Sequence, residues 1–181
     1  YIIAKECKGE CFLVVYADDF IAGFQYPWEA ERFYEQLRSR MAKFGLELEE
    51  NKSRIVESGR YLASLKAKRG ESTRLGTFDF LGFTFYKART AWKCTPTKDR
   101  KKRLYSNIQK YLERKHAVSR PLSVTFEKLN QMIRGWIQYF KISSIKVFLE
   151  EFGQWSRHKV RCIIIKQWKR PMTIYNNLMK L

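Results

Sequence analysis

The chain has few of the side chains that build zinc sites or disulfide frameworks. Its 181 residues include only two histidines and four cysteines. Cys7 and Cys11 have three residues between them, whereas Cys94 and Cys162 stand alone, so no paired Cys-x-x-Cys spacing is present. This pattern excludes the common structural zinc modules and predicts reduced, structurally incidental thiols.

Long apolar runs are also missing. No stretch reaches the roughly 20 apolar residues that a membrane-spanning helix requires, and the start of the chain is not typical of a secretory signal. We therefore expect no membrane partner and a cytoplasmic location of the bacterial type, or an organellar one if a targeting segment lies upstream. An apolar content of 45% is sufficient for a folded core.

Negative charge is scarce in most of the chain. Residues 1–57 carry 8 basic and 11 acidic side chains, whereas residues 58–181 carry 28 basic and 7 acidic ones, a net charge of +21. Such a basic segment is typical of proteins that bind nucleic acid, because lysine and arginine neutralise phosphates. Charge alone leaves open a membrane, another polyanion, or a solvated basic face without a partner.

Two adjacent aspartates, Asp18 and Asp19, separate two apolar runs over residues 12–16 and 20–24. The runs are rich in β-branched and aromatic side chains, so the pattern predicts a β-hairpin with two carboxylates at its tip. Neighbouring carboxylates repel each other, and they are often kept together to bind Mg²⁺ through oxygen ligands. Such a site is typical of nucleotidyl transfer. A solvated turn without a metal is the alternative interpretation.

The pattern of an amphipathic helix follows this hairpin. Apolar residues at three- and four-residue spacing predict a helix that begins at Pro27 and ends before Gly45. Alternation of apolar and polar residues then predicts a short strand over residues 46–49 and a return strand over residues 53–57. Together these elements predict a hairpin, a helix and short strands in the first part of the chain.

The second part of the chain is basic and is expected to be helical. Residues 78–85 predict an extended segment in which Gly82 marks a bulge or a close backbone approach. Residues 87–120 contain twelve basic and two acidic side chains. Helices are expected after Pro96 and after Pro121, because proline cannot continue a preceding helix.

Four segments resemble motifs of the reverse transcriptases encoded by group II introns. In chain order they are residues 15–20 (VYADDF) for the central palm motif, 43–54 (KFGLELEENKSR) for the next palm motif, 78–85 (FDFLGFTF) for the primer grip, and 129–140 (LNQMIRGWIQYF) for the maturase-associated helix. The resemblance implies an α+β fold. A partial polymerase palm over residues 1–86 would contain an antiparallel catalytic hairpin, a helix and short strands, and an all-helical thumb/maturase-like region would cover residues 87–181.

The resemblance implies nucleotidyl transfer at a two-metal Mg²⁺ site. Asp18 corresponds to the principal metal-binding carboxylate and Asp19 to a neighbour with a lesser metal role. Tyr16 and Ala17 would line the primer end. Lys52 corresponds to the palm lysine that protonates the leaving pyrophosphate, and a turn lysine in solvent is the alternative for this residue.

The resemblance also implies contacts with nucleic acid. Leu81 and Gly82 correspond to the primer grip. The basic residues of the first thumb helix are expected to contact template–primer phosphates without reading the sequence: Lys98, Arg100, Lys101, Lys102 and Arg103. Arg134, Gly135 and Trp136 match the maturase-associated motif and imply binding of intron RNA, and Gly135 and Trp136 could equally serve helix packing. The expected partners are intron and template RNA, a DNA primer and deoxynucleoside triphosphates.

One part of the family's metal site is missing from this sequence. The family has a further palm aspartate and a fingers region before the catalytic hairpin, and residues 1–11 contain no aspartate. We therefore expect a carboxylate outside this chain to complete the site, and the chain alone to be inactive. It would be a fragment of a larger RNA-directed DNA polymerase, one half of a split enzyme, or a degenerate remnant.

Two other functions stay open. The first is a non-catalytic, maturase-like RNA-binding module that assists intron splicing. The second is a reverse transcriptase of a retron, a diversity-generating element or a defence system.

Overall fold

The structure, a computed structural model, describes residues 6–49, 53–59, 62–72, 75–88 and 91–180. The chain divides into two units, Tyr1–Leu81 with Tyr86–Ala91, and Gly82–Phe85 with Trp92–Leu181. The described residues form helices and two small antiparallel sheets, which confirms the predicted α+β fold class. Within these ranges, no helix is long and apolar enough to cross a membrane.

The first unit contains the predicted hairpin. Strand β1 (Cys11–Tyr16) pairs antiparallel with strand β2 (Asp19–Phe24), from Cys11 opposite Phe24 to Tyr16 opposite Asp19. The apolar, β-branched composition of both runs suits a pleated strand, and the register leaves Ala17 and Asp18 as a two-residue turn.

Helix α1 (Pro27–Ala42) follows the hairpin, with proline in its first turn, where the missing N–H is no loss. Its Phe33 ring lies 5.2 Å from the Phe24 ring and 6.5 Å from the Phe20 ring, so the helix packs against β2. At the base of the hairpin, the buried Glu29 carboxylate accepts hydrogen bonds from the backbone N–H of Lys8 (2.6 Å) and of Gly9 (3.2 Å).

The segment after α1 differs from the prediction. Gly45 adopts the left-handed conformation (φ 68°), as expected just beyond a helix end. Residues 46–49 and the described residues 53–59 form no strand, so the two strands predicted over 46–49 and 53–57 are wrong. An alternating pattern becomes a strand only when a neighbour supplies the backbone hydrogen bonds, and in the described ranges no strand pairs with them. A short helix, α2 (Leu62–Lys68), follows.

The second sheet has the strand order β3 (Phe78–Phe80), β4 (Phe83–Lys87) and β5 (Trp92–Pro96). The extended segment predicted over 78–85 is therefore two strands joined by a two-residue turn, rather than one strand with a bulge. Strand β5 lies in the part of the chain for which only helices were predicted. The sequence did not reveal this strand, because five residues are too few to show a clear alternation of apolar and polar side chains.

The second unit is predominantly helical and basic. Thr97 begins its first helix, since its hydroxyl accepts a hydrogen bond from the Arg100 N–H (3.4 Å), and Pro121 precedes the long third one. The helices are α3 (Lys98–Tyr111), α4 (Arg114–Ala117), α5 (Leu122–Phe140), α6 (Lys146–Trp168) and α7 (Pro171–Leu178). The helices expected after Pro96 and Pro121 are thereby confirmed.

Helices α3, α5 and α6 supply the core of the second unit. The buried members are Leu104, Ile108, Leu112, Leu129 and Phe152. Aromatic rings surround this cluster: the Tyr105 ring lies 4.7 Å from the ring of Trp155 and 5.2 Å from the ring of Phe152, in edge-on contacts. Burial raises the pKa of the Tyr105 phenol, and the negative charge of Glu151 adds to this shift.

Candidate active site and nucleic-acid interface

Asp18 and Asp19 lie at the exposed tip of the hairpin. Asp18 is in the two-residue turn, and Asp19 is the first residue of β2, opposite Tyr16. Ala17 adopts the left-handed conformation (φ 50°), which costs an ordinary L-residue about 1–2 kcal/mol. Such strain is concentrated at functional sites, where the backbone must hold a side chain in one direction. The turn therefore exposes two carboxylates to solvent, and the residue before them, Ala17, has a strained left-handed backbone.

The chemistry of these two side chains fits Mg²⁺, which prefers oxygen ligands. The ligand set is nevertheless incomplete, because the described residues contain no group of three or more histidine, cysteine, aspartate or glutamate side chains that could hold a metal ion. Asp18 and Asp19 could supply two carboxylates, and the remaining ligands must come from substrate phosphates, water or residues outside the described ranges.

Strand β1 leaves an unusual amount of apolar surface in solvent. Its residues, whose side chains alternate between the two faces, are about half exposed or more: Phe12 61%, Leu13 58%, Val14 48%, Val15 61% and Tyr16 63%. Helix α1 packs mainly against β2. In the described part of the chain, β1 pairs with β2 alone, so its outer edge has no strand beside it. An exposed apolar edge strand is a site at which another strand can pair.

Lys52, the predicted proton donor, lies outside the described residues. Its role therefore stays a prediction from the sequence.

The turn between β3 and β4 is the predicted primer grip. Leu81 and Gly82 both have positive φ, 50° and 81°, as in the tight hairpin turns that follow the twist of a sheet. The Gly82 carbonyl accepts a hydrogen bond from the Thr97 N–H (3.0 Å). The left-handed backbone at Gly82 favours glycine there, and a Cβ atom on this residue would also lie 3.0 Å from Nε of the flexible Arg100 side chain. The turn is thus held against the first residues of α3.

The basic residues at the start of α3 point in different directions, some toward solvent and one toward the interior of the protein. Lys98, Lys102 and Arg103 are exposed, and Arg100 lies against the Gly82 turn. Lys101 faces inward: its ammonium donates to the Thr95 hydroxyl (3.1 Å) and lies 5.5 Å from the centroid of the Phe148 ring. Four of the five predicted contact residues are therefore accessible to a phosphate backbone, whereas Lys101 is engaged within the protein.

The two residues predicted on α5 also differ in their surroundings. Arg134 is exposed. Trp136 packs against Phe140 and Phe148, with ring centroids 4.5 Å and 5.1 Å away, and its buried indole N–H has no hydrogen-bond partner in the described part of the chain. This packing favours the structural role for Trp136 that the sequence left open.

The sequence reasoning missed two residues that the structure makes prominent. In the sequence, Glu29 is an ordinary acidic residue of a first helical turn. In the structure it is only 3% exposed, and its carboxylate accepts hydrogen bonds from the backbone N–H groups of Lys8 and Gly9, just before β1. Tyr139 has a ring stacked on the Phe83 ring and is still 56% exposed. The only available signal for Tyr139 was its position in the maturase-like motif, and Glu29 had none beyond its position after Pro27.

Comparisons with known families agree with this geometry. Residues 2–85 match the model of the reverse transcriptase (RNA-dependent DNA polymerase) family, and residues 101–181 match the model of the group II intron maturase-specific domain. A search of curated proteins found no match. The first match contains the hairpin and the β3–β4 turn, and the second contains most of α3 and the helices that follow it. The chain belongs to the group II intron reverse transcriptase/maturase family.

Proposed function

We propose that this chain is the palm and thumb portion of an RNA-directed DNA polymerase that binds intron RNA and template–primer. The observation that carries the proposal is the hairpin tip, where Asp18 and Asp19 follow a strained Ala17 in a segment that matches the reverse transcriptase model. The primer 3′-hydroxyl attacks the α-phosphate of a deoxynucleoside triphosphate, and pyrophosphate leaves.

Within this reaction, the residues of the chain bind and orient. Asp18 and Asp19 would hold Mg²⁺, which when bound would stabilise the developing negative charge and favour ionisation of the primer hydroxyl. Tyr16 and Ala17 position the primer end beside these carboxylates. Leu81 and Gly82 hold the primer strand, and Lys52 gives a proton to the leaving pyrophosphate.

A further segment completes the site. Two adjacent carboxylates do not make a two-metal site, and β1 exposes apolar surface on both of its faces. An upstream palm segment, in the same protein or in another chain, would pair with β1 and bring the missing aspartate. The exposed strand and the incomplete ligand set thereby have one explanation.

Primer extension tests this proposal. The assay uses a DNA primer on an RNA template with Mg²⁺ and deoxynucleoside triphosphates, and compares the chain alone with the chain plus the fingers and upstream palm segment of a group II intron reverse transcriptase. We expect no extension by the chain alone and extension by the mixture. Asp18→Asn should abolish extension, because it removes a metal-binding charge, and Glu71→Gln, an exposed change outside the hairpin, should not.

RNA affinity, measured on the same proteins, separates loss of chemistry from loss of binding. Asp18→Asn should leave RNA affinity unchanged or slightly improved, since a negative charge near phosphates is removed. Extension by the Asp18→Asn mixture would refute the assignment of the catalytic carboxylate.

A second candidate function is that of a maturase-like RNA-binding module without catalysis. It is favoured by the match of residues 101–181 to the maturase-specific domain and by the exposed basic residues of α3. In that case Asp18→Asn would change neither RNA affinity nor the splicing of an intron RNA, and the complemented chain would not extend a primer.

A further inference from the structure

Gly135 lies in the middle of α5 with no packing reason for a glycine. It is exposed, and a Cβ atom built on it would meet no described atom within 4 Å apart from its chain neighbours and the adjacent helix backbone. Glycine destabilises a helix interior relative to alanine, because it loses more backbone entropy on folding. Here alanine would fit without a clash. The missing side chain is explained if another molecule approaches the backbone of α5 closely at this point.

The neighbours of Gly135 on the helix surface form a continuous accessible area. Residues three or four positions apart lie side by side on a helix. We define the outer face of α5 as Gln131, Arg134, Gly135, Tyr139 and Ile142, the last in the turn that follows the helix. All five are exposed, Tyr139 at 56% and Ile142 at 75%. The face thus presents a side-chain amide, a guanidinium group, an aromatic ring and an aliphatic side chain around the position of Gly135, which has no side chain.

The Tyr139 ring is fixed in its orientation. It stacks on the Phe83 ring at a centroid distance of 5.6 Å and an interplanar angle of 18°, and the Phe140 ring meets it edge-on at 4.7 Å. More than half of the residue nevertheless remains accessible. An aromatic ring that is held by its neighbours and exposed to solvent is a platform on which a nucleobase can stack.

The charge around this face selects the kind of partner. Exposed Lys128, Lys141 and Lys146 lie on α5 or just beyond it, and Glu127 is the single acidic residue of α5. Residues 58–181 carry a net charge of +21, so a polyanion is favoured over a protein helix. We propose that the outer face of α5 binds an unpaired stretch of RNA, with Gly135 admitting the sugar–phosphate backbone and Tyr139 stacking on a base. The proposal deepens the RNA-binding part of the proposed function.

Two substitutions in the full chain test this site, with fluorescence anisotropy of a labelled RNA hairpin that has an unpaired loop as the probe. Gly135→Ala should raise the Tm, by about 2–4 °C if the full helix-propensity gain is realised, and should still weaken RNA affinity several-fold. Tyr139→Ala should weaken affinity by about fivefold or more, in the range of one lost stacking contact. Gly153→Ala is the matched control, because it adds the same methyl group within α6 against the flexible end of Arg157.

Opposite signs for stability and affinity at Gly135 would support the proposal, since a purely structural glycine cannot give both. RNA affinity that is unchanged in Gly135→Ala and Tyr139→Ala, while the chain still binds RNA, would overturn this site and leave the proposed function intact. If these variants bind RNA normally but fail in complemented primer extension, the face is a contact for a protein segment and the proposal is wrong. A chain that binds no RNA at all would overturn both the site and the RNA-binding part of the proposed function.

Discussion

Val15, in the exposed strand β1, allows a quantitative prediction. The residue is 61% exposed although it belongs to an apolar run of the hairpin. Because the outer edge of β1 has no strand beside it in the described part of the chain, two copies can pair through this edge and bury the same side chains. We expect the chain by itself to self-associate, and Val15→Lys to suppress this association.

The size of the effect follows from the exposed fraction. Complete burial of a valine side chain is favourable by about 1.5–3 kcal/mol, and 61% of the Val15 surface is still available, so each copy gains about 1–2 kcal/mol. A symmetric pair buries the residue twice. Val15→Lys should therefore weaken self-association by about 2–4 kcal/mol, which is roughly 30- to 700-fold in the dissociation constant.

Sedimentation velocity over a concentration series measures this shift. Val147→Lys, a valine on α6 with 68% exposure, is the matched control and should leave self-association unchanged. Neither variant should change the free energy of unfolding of the monomer by more than about 0.5 kcal/mol, because both side chains already face solvent. A wild-type chain that stays monomeric at high concentration, or equal effects of the two variants, would refute the reasoning about β1.

Three further predictions concern the second unit. Phe152→Ala should lower the free energy of unfolding by about 3–5 kcal/mol in urea titrations, because the ring is almost completely buried in the core, whereas Phe126→Ala, at 43% exposure, should cost much less. RNA affinity should fall steeply as the salt concentration rises, because binding releases counterions from the phosphates. Lys102→Ala should reduce the slope of log K against log salt concentration by about 0.7–0.9, which is the counterion release of one phosphate contact. An unchanged slope would count against α3 as a contact surface. Burial raises the pKa of Tyr105 above the ordinary value of a tyrosine in the folded state. The stability that the neutral phenol contributes is therefore present below the ordinary tyrosine pKa and is lost as the pH rises through the folded-state pKa. Tyr105→Phe should remove this alkaline loss, as measured by thermal unfolding at several pH values.

The elements that could be predicted from the sequence are those with local signals. The hairpin was predicted from two β-branched runs around an aspartate pair, and its register places Asp18 and Asp19 at the tip as expected. Helices α1 and α5 were predicted from their apolar spacing and from Pro27 and Pro121, which act within a few residues of themselves. Such signals need no knowledge of the rest of the chain.

The predictions that failed depended on distant partners. Residues 46–49 alternate like a strand, but the structure places no strand beside them in the described ranges, and Leu46 stays 56% exposed. Conversely, β5 forms over only five residues because β4 lies next to it. Strand formation depends on pairing, and the sequence of one strand does not state where its partner is.

The sequence by itself determined the division of charge, the adjacent carboxylates and the four motifs that identify the family. Only the tertiary structure decided how neighbouring residues of one motif differ. Lys101 turns toward Phe148 while Lys102 faces solvent. Trp136 packs against the core, whereas a side chain at Gly135 beside it would extend into open space. Successive side chains on a helix point in different directions, and which of those directions is buried depends on the elements that pack against the helix.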